Sequence, residues 1–214
     1  MLRTESSSRV VYSDLGYILW SAAAEHALAD DLEVLLRQFV WKPLGMRSMS
    51  GPPGTAGDVA QARLDNRREQ EFAARQGLDV AAVAAAPRGR AQDGNARFLG
   101  GIPGHAGAFG AAADLLALAS EWLSPGRLLS RRQVQQALQG GGEYALGWAR
   151  RRIRGTAGPA LGPRAFGQVG STGTSLWIDP DRRRAYVLIG HRTSWADLKP
   201  TRRRFHRLAV EALG

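Results

Sequence analysis

The chain has 214 residues, 29 basic and 19 acidic side chains, a formal net charge of +10 and no cysteine. The length suits one domain. Without cysteine there is no disulfide, thiol nucleophile or thiolate zinc site, and no apolar run reaches the roughly 20 residues that a membrane-spanning helix needs. Met1–Ser8 carry no apolar core of a signal peptide, which leaves localisation open. So basic a balance invites a nucleic-acid reading, because clustered cations gain affinity by displacing counterions from phosphate. The arginine clusters at 67–68, 131–132, 150–152, 182–184 and 202–204 are scattered, however, and lack interleaved aromatics. Lys42 and Lys199 are the only lysines. An arginine- and glycine-rich, lysine-poor chain is what GC-rich coding produces, so a solvated surface is favoured, and a basic nucleic-acid-binding module stands only as a further alternative.

Residues 10–45 read as helices. Ser13 or Asp14 caps a run in which Leu15, Ile18, Leu19 and Ala22 recur at helical spacing. Asp30-Asp31 opens a second run with Leu32, Leu35, Leu36 and Phe39 on one face, ended by Pro43. Residues 50–100, beginning with the turn Gly51-Pro52-Pro53-Gly54, read as a long surface excursion within a single domain over 1–214. Helical spacing returns at Ala111–Leu123, with Leu115, Leu116, Leu118, Ala119 and Leu123 on a face. Ser130-Arg131-Arg132-Gln133 is a capping box for a helix to Leu138. Tyr144–Trp148 suggests a strand, and Thr174–Ile178 with Ala185–Ile189 a β-hairpin across Asp179–Arg182. Arg202–Leu213 closes the chain as an amphipathic helix with Phe205, Leu208, Ala209 and Ala212 on one side. Helices first, antiparallel strands later and a closing helix indicate an α+β fold.

Five segments carry chemical interest: Tyr12-Ser13-Asp14, Pro43-Leu44-Gly45-Met46, Gly104-His105-Ala106-Gly107-Ala108-Phe109, Tyr144-Ala145-Leu146-Gly147-Trp148, and the string from Phe166 to Pro180. In kind and order they resemble the motifs of the serine β-lactamase and penicillin-binding-protein superfamily, in its class C-like branch of hydrolases, carboxypeptidases and esterases. The resemblance runs from about Val10 to the C-terminus. It implies an antiparallel sheet flanked by helices, and acyl transfer in which a Ser-x-x-Lys serine attacks a carbonyl while the lysine and a motif tyrosine share the proton.

On that resemblance Tyr12 is the candidate general base, Asp14 the polar residue two positions on, and the backbone N–H of Ser171 one oxyanion donor. Gln168, Val169, Gly170 and His105 are the candidate substrate-binding residues. For His105 a turn histidine satisfied by backbone is the blander reading. Asp93-Gly94-Asn95, with Gln92 where the family loop has histidine, reads as structural. No cofactor and no metal is assigned, since His26, His191 and His206 share no ligand spacing.

Two features depart from the family pattern. No Ser-x-x-Lys occurs: the residues three before Lys42 and Lys199 are Phe39 and Ala196. The resemblance places that motif upstream of the tyrosine, so the nucleophile helix and first sheet strands are expected to be missing from this chain. Second, Gln168-Val169 stand where the family has His or Lys followed by Thr, a neutral amide and a methyl group in place of a cation and a hydroxyl. The expected function is therefore that of a β-lactamase-related serine hydrolase inactive in this form, with a small-molecule or peptide substrate, or the missing N-terminal segment of the same domain, as its partner. The alternative is a non-catalytic pseudoenzyme that binds a peptidoglycan-like or protein ligand.

Overall fold

A computed structural model of the chain describes residues 11–52, 59–60, 67–78, 86–140, 142–151, 156–191 and 197–213. Val10, Pro53 and Gly54 lie outside the described residues.

Helix α1 (Asp14–Leu28) begins after an extended Ser13 and ends at Ala29, in the left-handed region at φ 56°. Its expected packing face does not pack: Leu15 and Leu19 are 65% and 69% exposed, and Ser21 is the buried residue. The cause is the neighbour. A Cβ on Gly104 would lie 2.7 Å from the Tyr17 carbonyl oxygen and 2.9 Å from Ser21 Cβ. The turn around Gly104 thus sits against α1 backbone, and only the small-residue flank of the helix admits that approach.

Helix α2 (Leu32–Leu36) runs through one wide π-helical turn (Arg37–Trp41) into α3 (Lys42–Leu44). Pro43 does not end it as expected. It lies inside the helical run, just past the wide turn and one residue before the last helical residue, Leu44. The stop is Gly45, at φ 71°, with Gly45 N–H bonded to Lys42 O at 3.1 Å and Met46 N–H to Trp41 O at 2.8 Å. Phe39 is exposed, and Trp41 takes its expected place in the core with Leu32, Leu44, Met46 and Ile102. Within 50–100 the described residues include α4 (Arg67–Arg75) and α5 (Gly94–Leu99), and Ala73, Ala86, Ala91 and Ala96 are buried.

Helix α6 (Ala112–Leu123) is followed by α7 (Arg131–Ala137), whose capping box forms as expected: Ser130 Oγ accepts from Gln133 N–H at 3.2 Å, and Gln133 Oε1 from Ser130 N–H at 2.8 Å. The corner between them is built on buried Glu121, whose carboxylate accepts backbone N–H groups of Gly126, Arg127, Leu128 and Leu129 at 2.8–3.1 Å. Burial alone would raise this carboxyl, but the four donors outweigh it and hold the pKa below the ordinary value.

Strands β1 (Ala149–Arg150), β2 (Phe166–Val169), β3 (Ser175–Asp179) and β4 (Arg184–Leu188) form an antiparallel sheet in the order β1-β2-β3-β4. Tyr144–Trp148 is not a strand. Ala145 N–H bonds to Trp148 O at 2.8 Å and Gly147 is left-handed at φ 74°, so the segment is a tight turn delivering the chain to β1. Alternation along β3 then assigns the two faces. Leu176 and Ile178 join Phe166, Ala119 and Trp122 under α6, while Trp177 joins Ala149, Tyr186 and α8 (Lys199–Leu213) on the other side. Gly167 is opposite Trp177, and a Cβ there would stand 2.7 Å from the indole. In α8 the inward residues are Arg202, Phe205, His206, Ala209 and Val210, whereas Leu208 and Ala212 are exposed. The polar pair turns inward because it has partners: Arg202 bonds to Gly170 and Thr174 carbonyls, and His206 to that of Ala157.

Candidate functional site

Tyr12 lies two residues ahead of α1, and Asp14 is the first residue of that helix. The Tyr12 ring is 5.7 Å from that of Tyr17 and 6.2 Å from that of Tyr144, at 25° to the latter. Tyr17 follows Asp14 by three residues and shares its helix face. Tyr144 comes from the turn before β1, and Gln168, near the end of β2, hydrogen-bonds the Tyr17 phenol. Gln168 Oε1 accepts the Val169 backbone N–H at 3.2 Å, which leaves its amide nitrogen as the donor to Tyr17. Residues remote in sequence thus form one cluster of three phenols, a carboxylate and an amide.

Burial is the largest cause pushing the Tyr12 phenol upward, followed by its hydrogen bond to Asp14, that carboxylate's charge, and the neighbouring Tyr17 and Tyr144. Burial likewise raises Tyr17, with Tyr144 and Asp14 adding to it and the Gln168 bond opposing. Tyr12 and Tyr17 therefore keep their protons at neutral pH, with Tyr12 donating to Asp14. A cation brought alongside would lower the Tyr12 pKa and make it a proton acceptor; the neutral Gln168 does not supply one.

The turn beyond Gln168 is closely held. Gly170 N–H bonds to Thr174 O at 3.0 Å, Gly173 N–H to Gly170 O at 3.2 Å, and Arg202 Nη2 lies 2.7 Å from Gly170 O. Ser171 is exposed on this turn and Val169 half-buried beside it. His105 is placed differently. Its side chain is 2% exposed, with Nε2 2.9 Å from Asp93 Oδ1, the same oxygen that accepts the Ala96 N–H at the start of α5. Its ring ties the Gly104 turn to α5, and that turn in turn seats α1.

The Beta-lactamase family model matches residues 2–211. The chain belongs to the beta-lactamase family. A relative from Salmonella typhi, whose name is that of a D-alanyl-D-alanine carboxypeptidase, is 27% identical over 210 residues, covering 89% of this chain and 47% of its own length. The chain thus spans about half the length of the curated relatives it matches. Among solved structures, a beta-lactamase from Mycobacterium bovis superposes with a TM-score of 0.60 at 22% identity, over 96% of this chain and 65% of that one. A penicillin-binding protein homologue from Caulobacter crescentus gives 0.55 at 19% identity, over 90% and 56%. These likenesses agree with the antiparallel sheet flanked by helices that the motifs implied.

Within this family member, Tyr17 is a site residue with no place among the sequence motifs, and Tyr144 belongs to a motif segment but to none of the candidate site residues. The signal for Tyr17 was its spacing of three from Asp14; for Tyr144, no local pattern points across the molecule to Tyr12.

Proposed function

We propose that this chain supplies the tyrosine side of an acyl-transfer site, and that it acts on a carbonyl substrate only together with a Ser-x-x-Lys segment, which these 214 residues do not contain. The observation that carries this reading is the convergence of Tyr12, Asp14, Tyr17, Tyr144 and Gln168 from three separate parts of the chain. A serine nucleophile needs a proton acceptor, and a lysine delivered with that serine would provide the cation that turns Tyr12 from donor to acceptor. Two apolar surfaces fit such a segment: exposed Leu15 and Leu19 of α1 with Val11 ahead of the helix, and the outer edge of β4, which pairs only with β3 among the described residues. The name of the Salmonella relative suggests a D-alanyl peptide. Gln168, being neutral, favours an acyl compound recognised through an uncharged end, an ester or amide, over one with a free carboxylate.

The test is labelling with a fluorescent fluorophosphonate, read by intact mass. The chain alone gives no adduct. Co-expressed with a family segment bearing Ser-x-x-Lys, it gives one adduct on that segment's serine, and Tyr12→Phe slows its formation by about 10²-fold or more. A stoichiometric adduct on the isolated chain overturns the reading.

A second reading is favoured by the uncharged Gln168-Val169 pair, namely a site that binds such ligands without turnover. It predicts saturable binding of an ester or peptide probe to the co-expressed pair with no adduct, and no gain from Gln168→His with Val169→Thr.

A further inference from the structure

We propose that the groove between the α6–α7 corner and the β3–β4 turn is a binding site for a small aryl carboxylate, built from residues that play no part in the tyrosine cluster. The groove is open to solvent, holds about 420 Å³, and is lined by Trp122, Leu123, Pro125 and Val134 on its apolar side and by Ser124, Gln135, Arg131 and Arg183 on its polar side. Its size falls in the range of small-molecule sites, and its lining is divided between apolar and polar residues, two of the polar ones cationic.

The floor is stiff. The Trp122 ring meets those of Trp148 and Phe166 steeply, at centroid separations of 5.3 and 5.8 Å, so the aromatic core fixes the indole. A rigid indole offers stacking or edge contact to a flat ring at little entropic cost.

The rim is cationic because the carboxylates close to it are engaged elsewhere. Glu121 turns inward onto the 126–129 backbone. Asp179 takes the Gly162 N–H at 2.8 Å and the Arg182 guanidinium at 2.9 Å. Asp181 takes Arg164. Among the described residues Arg131 and Arg183 have no hydrogen-bond or ion-pair partner on their side chains. Two free guanidinium groups lining one groove match a carboxylate, which guanidinium binds in planar, charge-assisted geometry. The apolar floor calls for a ring on the same molecule, and the small volume excludes a folded partner.

Arg183 also makes the proposal testable without risk to the fold. It occupies the left-handed region at φ 54°, where glycine is at ease, so Arg183→Gly removes the charge and relieves the backbone together.

The experiment titrates 1-naphthoate into the full chain, following the Trp122 indole N–H by NMR and affinity by fluorescence. Saturable binding is expected, with the largest shift at Trp122. Arg183→Gly and Arg131→Gln should each weaken it at least tenfold, and added salt should weaken it further. Arg75→Gln, the same charge change on exposed α4, should leave affinity within twofold. Neutral 1-naphthalenemethanol should bind at least tenfold more weakly than the acid. Absence of saturable binding, equal affinity for the neutral analogue, or unchanged affinity in both rim variants overturns the proposal.

Discussion

Arg202 Nη2 lies 2.7 Å from the carbonyl oxygen of Gly170 and 3.1 Å from that of Thr174, so α8 grips the turn that follows Gln168. A guanidinium bonded to two carbonyls is a charge-assisted tie, worth about 1.5–3 kcal/mol. Arg202→Met keeps the stem and removes the tie. Hydrogen exchange over 170–174 should accelerate at least tenfold while the far half of α8 keeps its protection. Unaltered exchange in that turn would show that the strands alone hold it.

His206 introduces a pH dependence. It is fully buried, with Nδ1–H donating to Ala157 O at 2.7 Å and Nε2 3.4 Å from Ser175 Oγ. Burial is the chief cause lowering its pKa below 6.5, the Ala157 bond opposes, and the charge of Arg202 lowers it further. The unfolded chain takes up this proton near 6.5 and the folded chain resists, so the stabilisation is complete above 6.5 and lost as pH falls toward the folded pKa. The slope from one such proton is at most about 1.4 kcal/mol per pH unit. Urea unfolding between pH 7.5 and 5 should show it in the native chain and a flatter profile in His206→Gln. Parallel profiles would sink the assignment.

Glu121 acts in a lower window. Its folded pKa is depressed, so its contribution is present above the ordinary 4.5 and disappears as pH falls through the folded value. All four N–H groups converge on Oε1, with Arg127 alone also reaching Oε2 at 3.3 Å, so Glu121→Gln keeps an acceptor oxygen but removes the charge that strengthens every bond to it. The expected cost is about 2–3 kcal/mol at pH 7, seen as a lower Tm, with most of the difference gone in acid. A neutral change in Tm at pH 7 contradicts the geometry.

Asp14→Asn tests the cluster itself. The substitution removes the negative charge beside Tyr12, so the phenol pKa should move down toward its ordinary value of 10.0. Tyrosine ring-carbon NMR across an alkaline titration reads each phenol separately. If Tyr12 stays where it was, Asp14 does not govern it.

Much of this fold was legible because its signals are local. The Ser130–Gln133 capping box, the Asp179–Arg182 turn between apolar strands and the helical spacing of α6 all lie within a few residues, and each appears close to its expected place. The faces of α1 and α8 were misjudged for a different reason. Leu15 and Leu19 look like core residues by periodicity, but the approach of Gly104 selects the Tyr17–Ser21 flank. In α8, Leu208 gave way to Arg202 and His206, whose burial is licensed by carbonyls 32 and 49 residues away in sequence. No window of spacing contains such partners. The same holds at the site: Tyr12, Asp14 and Gln168 stand in readable motifs, whereas the meeting of Tyr12 with Tyr144 and of Tyr17 with Gln168 comes only with the fold. Tyr144–Trp148 failed as a strand because Gly147 takes a left-handed conformation that β-propensity does not register.

The wide turn at Arg37–Trp41 has a bearing on how this chain tolerates length change. A helix accommodates an inserted residue by bulging one turn from four residues to five, which keeps everything downstream in phase. Leu32 and Leu35 before the bulge and Leu44 and Met46 after it are all buried, so the phase is in register across it. The helix therefore carries a spare residue. Excising exposed Phe39 should relax the bulge into regular α-helix without swinging Leu44 out of the core, whereas excising a residue from the regular turn Leu32–Leu36 would rotate every later side chain by about 100°. Deletion here is an economy the fold can absorb, and the gap positions seen when this helix is aligned with others should gather in those five residues.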